Sequence, residues 1–216
     1  MERIDVSRFI EKLRRAIESL GIVEPLEWVL ALLYAFGGRA PSKLHIQKAL
    51  FVASRYIDGL MEVLEFKAYR MGPWSEEVED AMENAVYSGL LVASRNGVAL
   101  TPRGIADAKS VWERLSDKDR EVLKKVADFL SRMSEDELLL YVYTVYGYSE
   151  KSDVITKLLE RRKELAIGML RKGLVSVELA AKIAGIPLQD FVSYLRKKKV
   201  KPYIAEVNDI EEAERL

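Results

Sequence analysis

A mainly α fold is predicted by three features of the 216-residue chain. Apolar residues recur at three- and four-residue steps over most of its length, only two short stretches break that period, and capping residues punctuate the helical segments. The first such segment, 5–20, places Phe9, Ile10, Leu13, Ile17 and Leu20 on one face and ends at Gly21. Residues 25–36 are apolar nearly all round, which predicts a central, buried helix stopped by Gly37-Gly38. Ser42 caps a third helix, 43–58, with Ile46, Ala49, Leu50, Ala53, Ile57 and, just beyond it, Leu60 inward. Period-two alternation over 64–70 predicts a half-buried strand broken by Gly72-Pro73, and Ser75 with Glu76 and Glu77 opens a helix to about Ser88.

Leu90–Arg95 and Val98–Leu100 flank Asn96-Gly97, a dipeptide that tolerates positive φ at both centres of a tight hairpin turn. Thr101-Pro102, an N-cap followed by proline, starts a helix to about Leu115. This order of helices, strand and hairpin is that of a winged helix. In it, helix 43–58 takes the reading position and exposes Lys43, Gln47, Lys48 and Arg55, with Arg95 on the wing. Two helices follow at 117–132 and 135–146, the second with a Ser134/Glu137 capping box. Gly147–Ser152 is a polar break, and helices are predicted at 153–172, 177–184 and 188–198. The expected organisation is a winged-helix-like unit with a small β-hairpin and helical extension (1–146), a C-terminal helix-turn-helix (153–204) and an acidic tail (205–216).

Zero net charge hides a segregation. Residues 161–204 hold eleven Lys and Arg against three Asp and Glu, whereas 205–216 hold one against five and 1–116 are nearly balanced. The basic segment suits nucleic acid; the N-terminal half, with Lys43, Gln47, Lys48, Arg55 and Arg95 as a second DNA or partner surface, is the weaker candidate. Cysteine is absent, which removes disulfides, thiolate metal sites and cysteine nucleophiles, and the single histidine, His45, rules out two-histidine metal motifs. Neither a membrane span nor a signal peptide is legible, so a cytoplasmic location is expected. Scarce asparagine and glutamine beside abundant Glu, Lys and Arg fit a thermophile.

Residues 176–199 have helix-turn-helix grammar. Leu179, Ala180 and Ile183 face inward, Gly185 permits the turn, and Phe191, Val192 and Leu195 dock the second helix. Gln189 is placed to read a base edge, with Ser193 and Arg196 beside it. Lys182, Lys197, Lys198, Lys199 and Lys201 would neutralise phosphates. The bland alternative is a helical hairpin with a solvated basic end. A homodimer is expected for DNA reading, because two half-sites multiply affinity.

Two resemblances run alongside. AAKIAGIPLQDFVSYLRKKKV, led by Leu170-Arg171-Lys172-Gly173 and Ser176, resembles short prokaryotic antitoxin-like proteins over about 160–204. That likeness implies a small DNA-binding or antitoxin-type module without catalytic residues. Ile46-Gln47-Lys48-Ala49-Leu50-Phe51 and Phe66–Ser75 with its Gly72-Pro73 resemble the phage-associated Panacea-type domain over about 25–146, and Leu140-Tyr141-Val142-Tyr143 is similar to a stretch found in some relatives. This implies an interaction domain of toxin–antitoxin or regulatory proteins, with a toxin or another protein as partner.

No cofactor or metal is expected, and no enzyme. Asp58 with Glu65-x-Lys67 has the composition of a metal-dependent nuclease site, but an alternating strand explains Glu65 and Lys67 without chemistry. His45 reads as a surface or satisfied histidine. Tyr141, Tyr143, Tyr146 and Tyr148 scatter over more than one helix face, which suits packing rather than a pocket. Trp74 reads as a cap on the core at a strand-to-helix corner.

Overall fold

A computed structural model describes residues 23–200. The helix expected over 5–20, Lys201 and the acidic tail lie outside the described residues. Eleven helices and a small amount of antiparallel sheet make up the described part, which is mainly helical. The central element is α1 (Pro25–Ala35), whose Trp28–Leu33 are all buried. Residues that are apolar on every side have no face to give to water, so neighbours cover all of them. Those neighbours are α4 (Glu76–Tyr87), α5 (Pro102–Arg114) and α6 (Asp117–Ser131), together with α2 (Lys43–Ala53).

Helix α2 is a second central element. Every residue from Leu44 to Ala53 is buried. The helix is shorter than its apolar spacing suggests. It stops at Ala53, with a Ser54 hydroxyl donating to the Phe51 carbonyl at 2.8 Å, and a turn leads through Gly59 to α3 (Leu60–Val63). The spacing survives because Ile57 and Leu60 still point into the core from the turn.

The strand read over 64–70 is confined to β2 (Lys67–Tyr69). It pairs antiparallel with β3 (Gly72–Trp74), so Gly72-Pro73 belong to a strand rather than ending one. Proline is tolerated there because this two-stranded ribbon has free edges and needs no amide from it. Trp74 is half-buried against Tyr69, with ring centroids 6.0 Å apart. The other sheet has the order β1 (Arg39–Ala40), β5 (Gly97–Leu100), β4 (Leu91–Ser94). Its hairpin turn differs from expectation. Ser94 pairs with Gly97, so the loop residues are Arg95 and Asn96, and Gly97 alone has positive φ (122°). Glycine is also required for space, since a Cβ there would overlap the Ala40 carbonyl of β1.

Capping follows the sequence. Ser42, Ser75, Thr101, Ser116 and Ser134 each accept an amide at the start of α2, α4, α5, α6 and α7 (Glu135–Tyr146), and Glu137 completes the α7 capping box. The single helix expected over 153–172 is two, α8 (Ile155–Glu160) and α9 (Arg162–Arg171), hinged at Arg161. No proline or glycine marks the hinge; the arginine side chains described below do. Then come α10 (Val177–Ala184), capped by Ser176, and α11 (Leu188–Lys197).

Helices α9 and α10 pack on α7, and several polar contacts cross the Gly147–Ser152 break. Arg70 pairs with Asp153 at 2.5 Å, and Lys172 pairs with the buried Glu137 at 2.6 Å. Glu137 is in turn seated against Gly168, where a Cβ would crowd its carboxylate.

Candidate nucleic-acid interface

Helices α10 and α11 form the candidate interface. Ala180, Ala181, Ile183 and Ala184 line the inner side of α10, and Phe191 and Leu195 seat α11 on it. Small residues on α10 let α11 approach closely, while Phe191, fully buried, fills the space between them. Gly185 ends α10 in the left-handed region at φ 66°, and Pro187 precedes the first residue of α11.

With Phe191 and Leu195 turned inward, the opposite side of α11 is open. Gln189, Ser193 and Arg196 are exposed. At about 100° per residue they fall within about 60° of one another, a single stripe along the helix. Lys197, Lys198 and Lys199 are exposed at its C-terminal end, and Lys182 is exposed on α10. Among the described residues, none of these five cations forms an ion pair. Lys198 and Lys163 instead lie against the Tyr194 ring, 5.9 and 5.7 Å from its centroid. Lys199 takes a left-handed conformation (φ 53°) that ends the helix, its amide donating to Arg196.

The second surface read from sequence does not form. Gln47 and Lys48 are fully buried, because the helix that carries them is covered on every side. Both clamp the β3 corner. Lys48 Nζ donates to the Pro73 carbonyl at 2.7 Å, and Gln47 donates to the Ser75 carbonyl at 2.9 Å while accepting from the Ser75 amide at 3.1 Å. Desolvation pushes the Lys48 amine down to about 7. Lys43 is paired with Glu79 at 2.9 Å. Arg55 lies over the Phe51 ring at 4.6 Å and donates to the Tyr148 hydroxyl at 3.2 Å. Lys43 and Arg55 are nevertheless exposed as expected, as is Arg95 on the hairpin loop; only Gln47 and Lys48 depart from the expected surface.

Comparison of the chain with family profiles, curated proteins and solved structures finds no match. The chemistry of the remaining candidates therefore rests on geometry. Asp58 pairs with Lys118 at 2.9 Å, and Glu65 pairs with Lys67 at 3.2 Å, so each charge of the nuclease-like set has a local partner. Among the described residues no group of three or more His, Asp or Glu side chains is arranged to hold a metal. His45 is buried and satisfied. Its Nδ1 accepts from the Ser42 hydroxyl at 2.9 Å and its Nε2 donates to the Met133 carbonyl at 3.0 Å, while burial lowers its pKa. Tyr143 is buried with its hydroxyl 2.9 Å from Ser152 Oγ, and Tyr141, Tyr146 and Tyr148 are half-buried. No helix among the described residues is long and apolar enough to cross a membrane.

One residue that the sequence did not single out belongs to this region. Arg162, at the start of α9, sends its guanidinium to the end of α10, where Nε donates to the Ile183 carbonyl at 2.8 Å. No local signal marks it, because 153–172 reads as one helix and places Arg161-Arg162 in its interior.

Proposed function

We propose that the protein is a DNA-binding regulator of the antitoxin or transcription-factor kind, a binding module rather than an enzyme. In this reading α10 and α11 are a helix-turn-helix, and α11 enters the major groove. The observation that carries it is the open stripe Gln189, Ser193 and Arg196 on α11, flanked by lysines without acidic partners among the described residues. Glutamine and arginine, both capable of bidentate contacts, in line with a serine on one helix face are what base-edge readout needs, and lysines at its end are what the phosphate backbone needs. Part of the described N-terminal region, with α4, β4, β5 and α5 in winged-helix order, serves as the body that carries the reading helix and presents a surface to a homodimer mate or a toxin-like protein. Exposed Tyr87, Val92 and Ile105 favour that protein-binding role for it.

Selection from random duplex DNA at two salt concentrations tests the proposal. Wild-type protein is expected to enrich a defined sequence. Gln189→Ala is expected to relax the preference at one base position, at a cost of ~1–3 kcal/mol on the selected duplex, while leaving affinity for unrelated duplex unchanged. Equal loss on both duplexes would remove Gln189 from base reading.

A further inference from the structure

We infer that Arg162 is a positioning residue that locks the turn between α10 and α11 and so sets how α11 meets DNA, governing discrimination between sequences rather than overall affinity. The inference rests on the DNA-binding reading above.

Helix α10 ends in a tight turn. The Ile186 amide donates to the Ala181 carbonyl at 3.3 Å, and the Gly185 amide donates to the Lys182 carbonyl at 3.1 Å. The turn's own amides leave the carbonyl of the fully buried Ile183 to Arg162, whose Nε donates to it at 2.8 Å. Nη2 of the same guanidinium reaches the Lys182 carbonyl at 3.3 Å. A cation placed on the last carbonyls of a helix complements its dipole, and a charged donor makes the stronger hydrogen bond.

The fit is close. The guanidinium lies on the bare Cα of Gly185, and a Cβ there would overlap Cζ and both terminal nitrogens. Glycine is thus needed twice, for its φ of 66° and for the space that Arg162 fills. The root of Arg162 is itself held, because the preceding Arg161 pairs with Asp136 of α7 at 2.6 Å. Only Ile186 and Pro187 separate Gly185 from Leu188, the first residue of α11. A shift at the turn therefore reaches the reading stripe undamped. Bidentate contacts to base edges demand good distance and angle, whereas lysines on flexible stems follow phosphates through small displacements.

The experiment compares full-length wild type with Arg162→Gln, Arg162→Lys, Gly185→Ala and the Arg162→Gln/Gly185→Ala double variant. Fluorescence anisotropy is read on the selected duplex and on a scrambled one, and hydrogen exchange is read at the amides of 185–191. Arg162→Gln is expected to lower the affinity ratio of the two duplexes about tenfold, the size of one lost base contact, with the scrambled-duplex affinity and its salt dependence kept. Arg162→Lys is expected to restore part of the ratio, since an ammonium retains the charge without the planar fork. Gly185→Ala is expected to cost less discrimination in the Arg162→Gln background than in the wild type, because the overlap is then gone. Exchange at 185–191 is expected to accelerate in Arg162→Gln even without DNA. Equal loss on both duplexes, or additive effects of the two substitutions, would overturn the inference. Unchanged exchange would overturn the lock itself, whereas failure of the wild type to bind any duplex overturns the DNA reading.

Discussion

Between pH 7 and pH 10.5, the stability of the wild type is expected to rise relative to that of Lys48→Met, by up to about 5 kcal/mol. The folded amine loses its proton near pH 7, whereas the unfolded chain keeps it to about 10.5. Through that window the unfolded state binds the extra proton, so raising the pH favours the folded state, and below it the folded protein must hold a buried ammonium. Lys48 has one partner, the Pro73 carbonyl, and lies among apolar residues of α2. Methionine keeps the volume and removes the titration. Urea unfolding of both proteins across this range checks the point, and a constant difference between them would show that Lys48 is not desolvated in the folded state.

Phe51→Ala is expected to cost about 3–5 kcal/mol. Phe51 is fully buried and contacts four partners: the rings of Phe66, Tyr146 and Tyr148 lie 5.0–5.4 Å from it, and Arg55 lies over its face. Its removal opens a cavity where α2 meets the segment that follows α7. The unfolding midpoint in urea is expected to fall, and protease cleavage within 147–152 is expected to accelerate in the native state. A loss below about 1 kcal/mol would mean that the ring cluster collapses to fill the space.

How much of this was legible in the sequence depended on whether a local rule or a tertiary contact decided the outcome. Serine and threonine caps before α2, α4, α5 and α7 were legible because a cap is satisfied by amides two or three residues away. The inward positions Phe191 and Leu195 were legible for a similar reason: period alone assigns a face. The burial of Gln47 and Lys48 was not legible. Polar residue types argue for solvent, and only the fold brings Pro73 and Ser75 to them as partners. The hairpin loop lies one residue earlier than the Asn96-Gly97 dipeptide marks, and the close approach of β1 to Gly97 is a long-range contact that the dipeptide does not encode. Arg162 was invisible for a related reason, since its partners Lys182 and Ile183 lie twenty and more residues on.

The most direct measurement of the central claim is the salt dependence of DNA affinity for the wild type and for the variant with Lys197, Lys198 and Lys199 all changed to alanine. If these lysines neutralise phosphates, the wild type binds duplex DNA with a steep log–log slope, and the triple variant loses ~0.9 of slope for each contact removed, on every sequence tested. An identical slope in the two proteins, or a wild type that binds no duplex at low salt, would contradict DNA binding through α11.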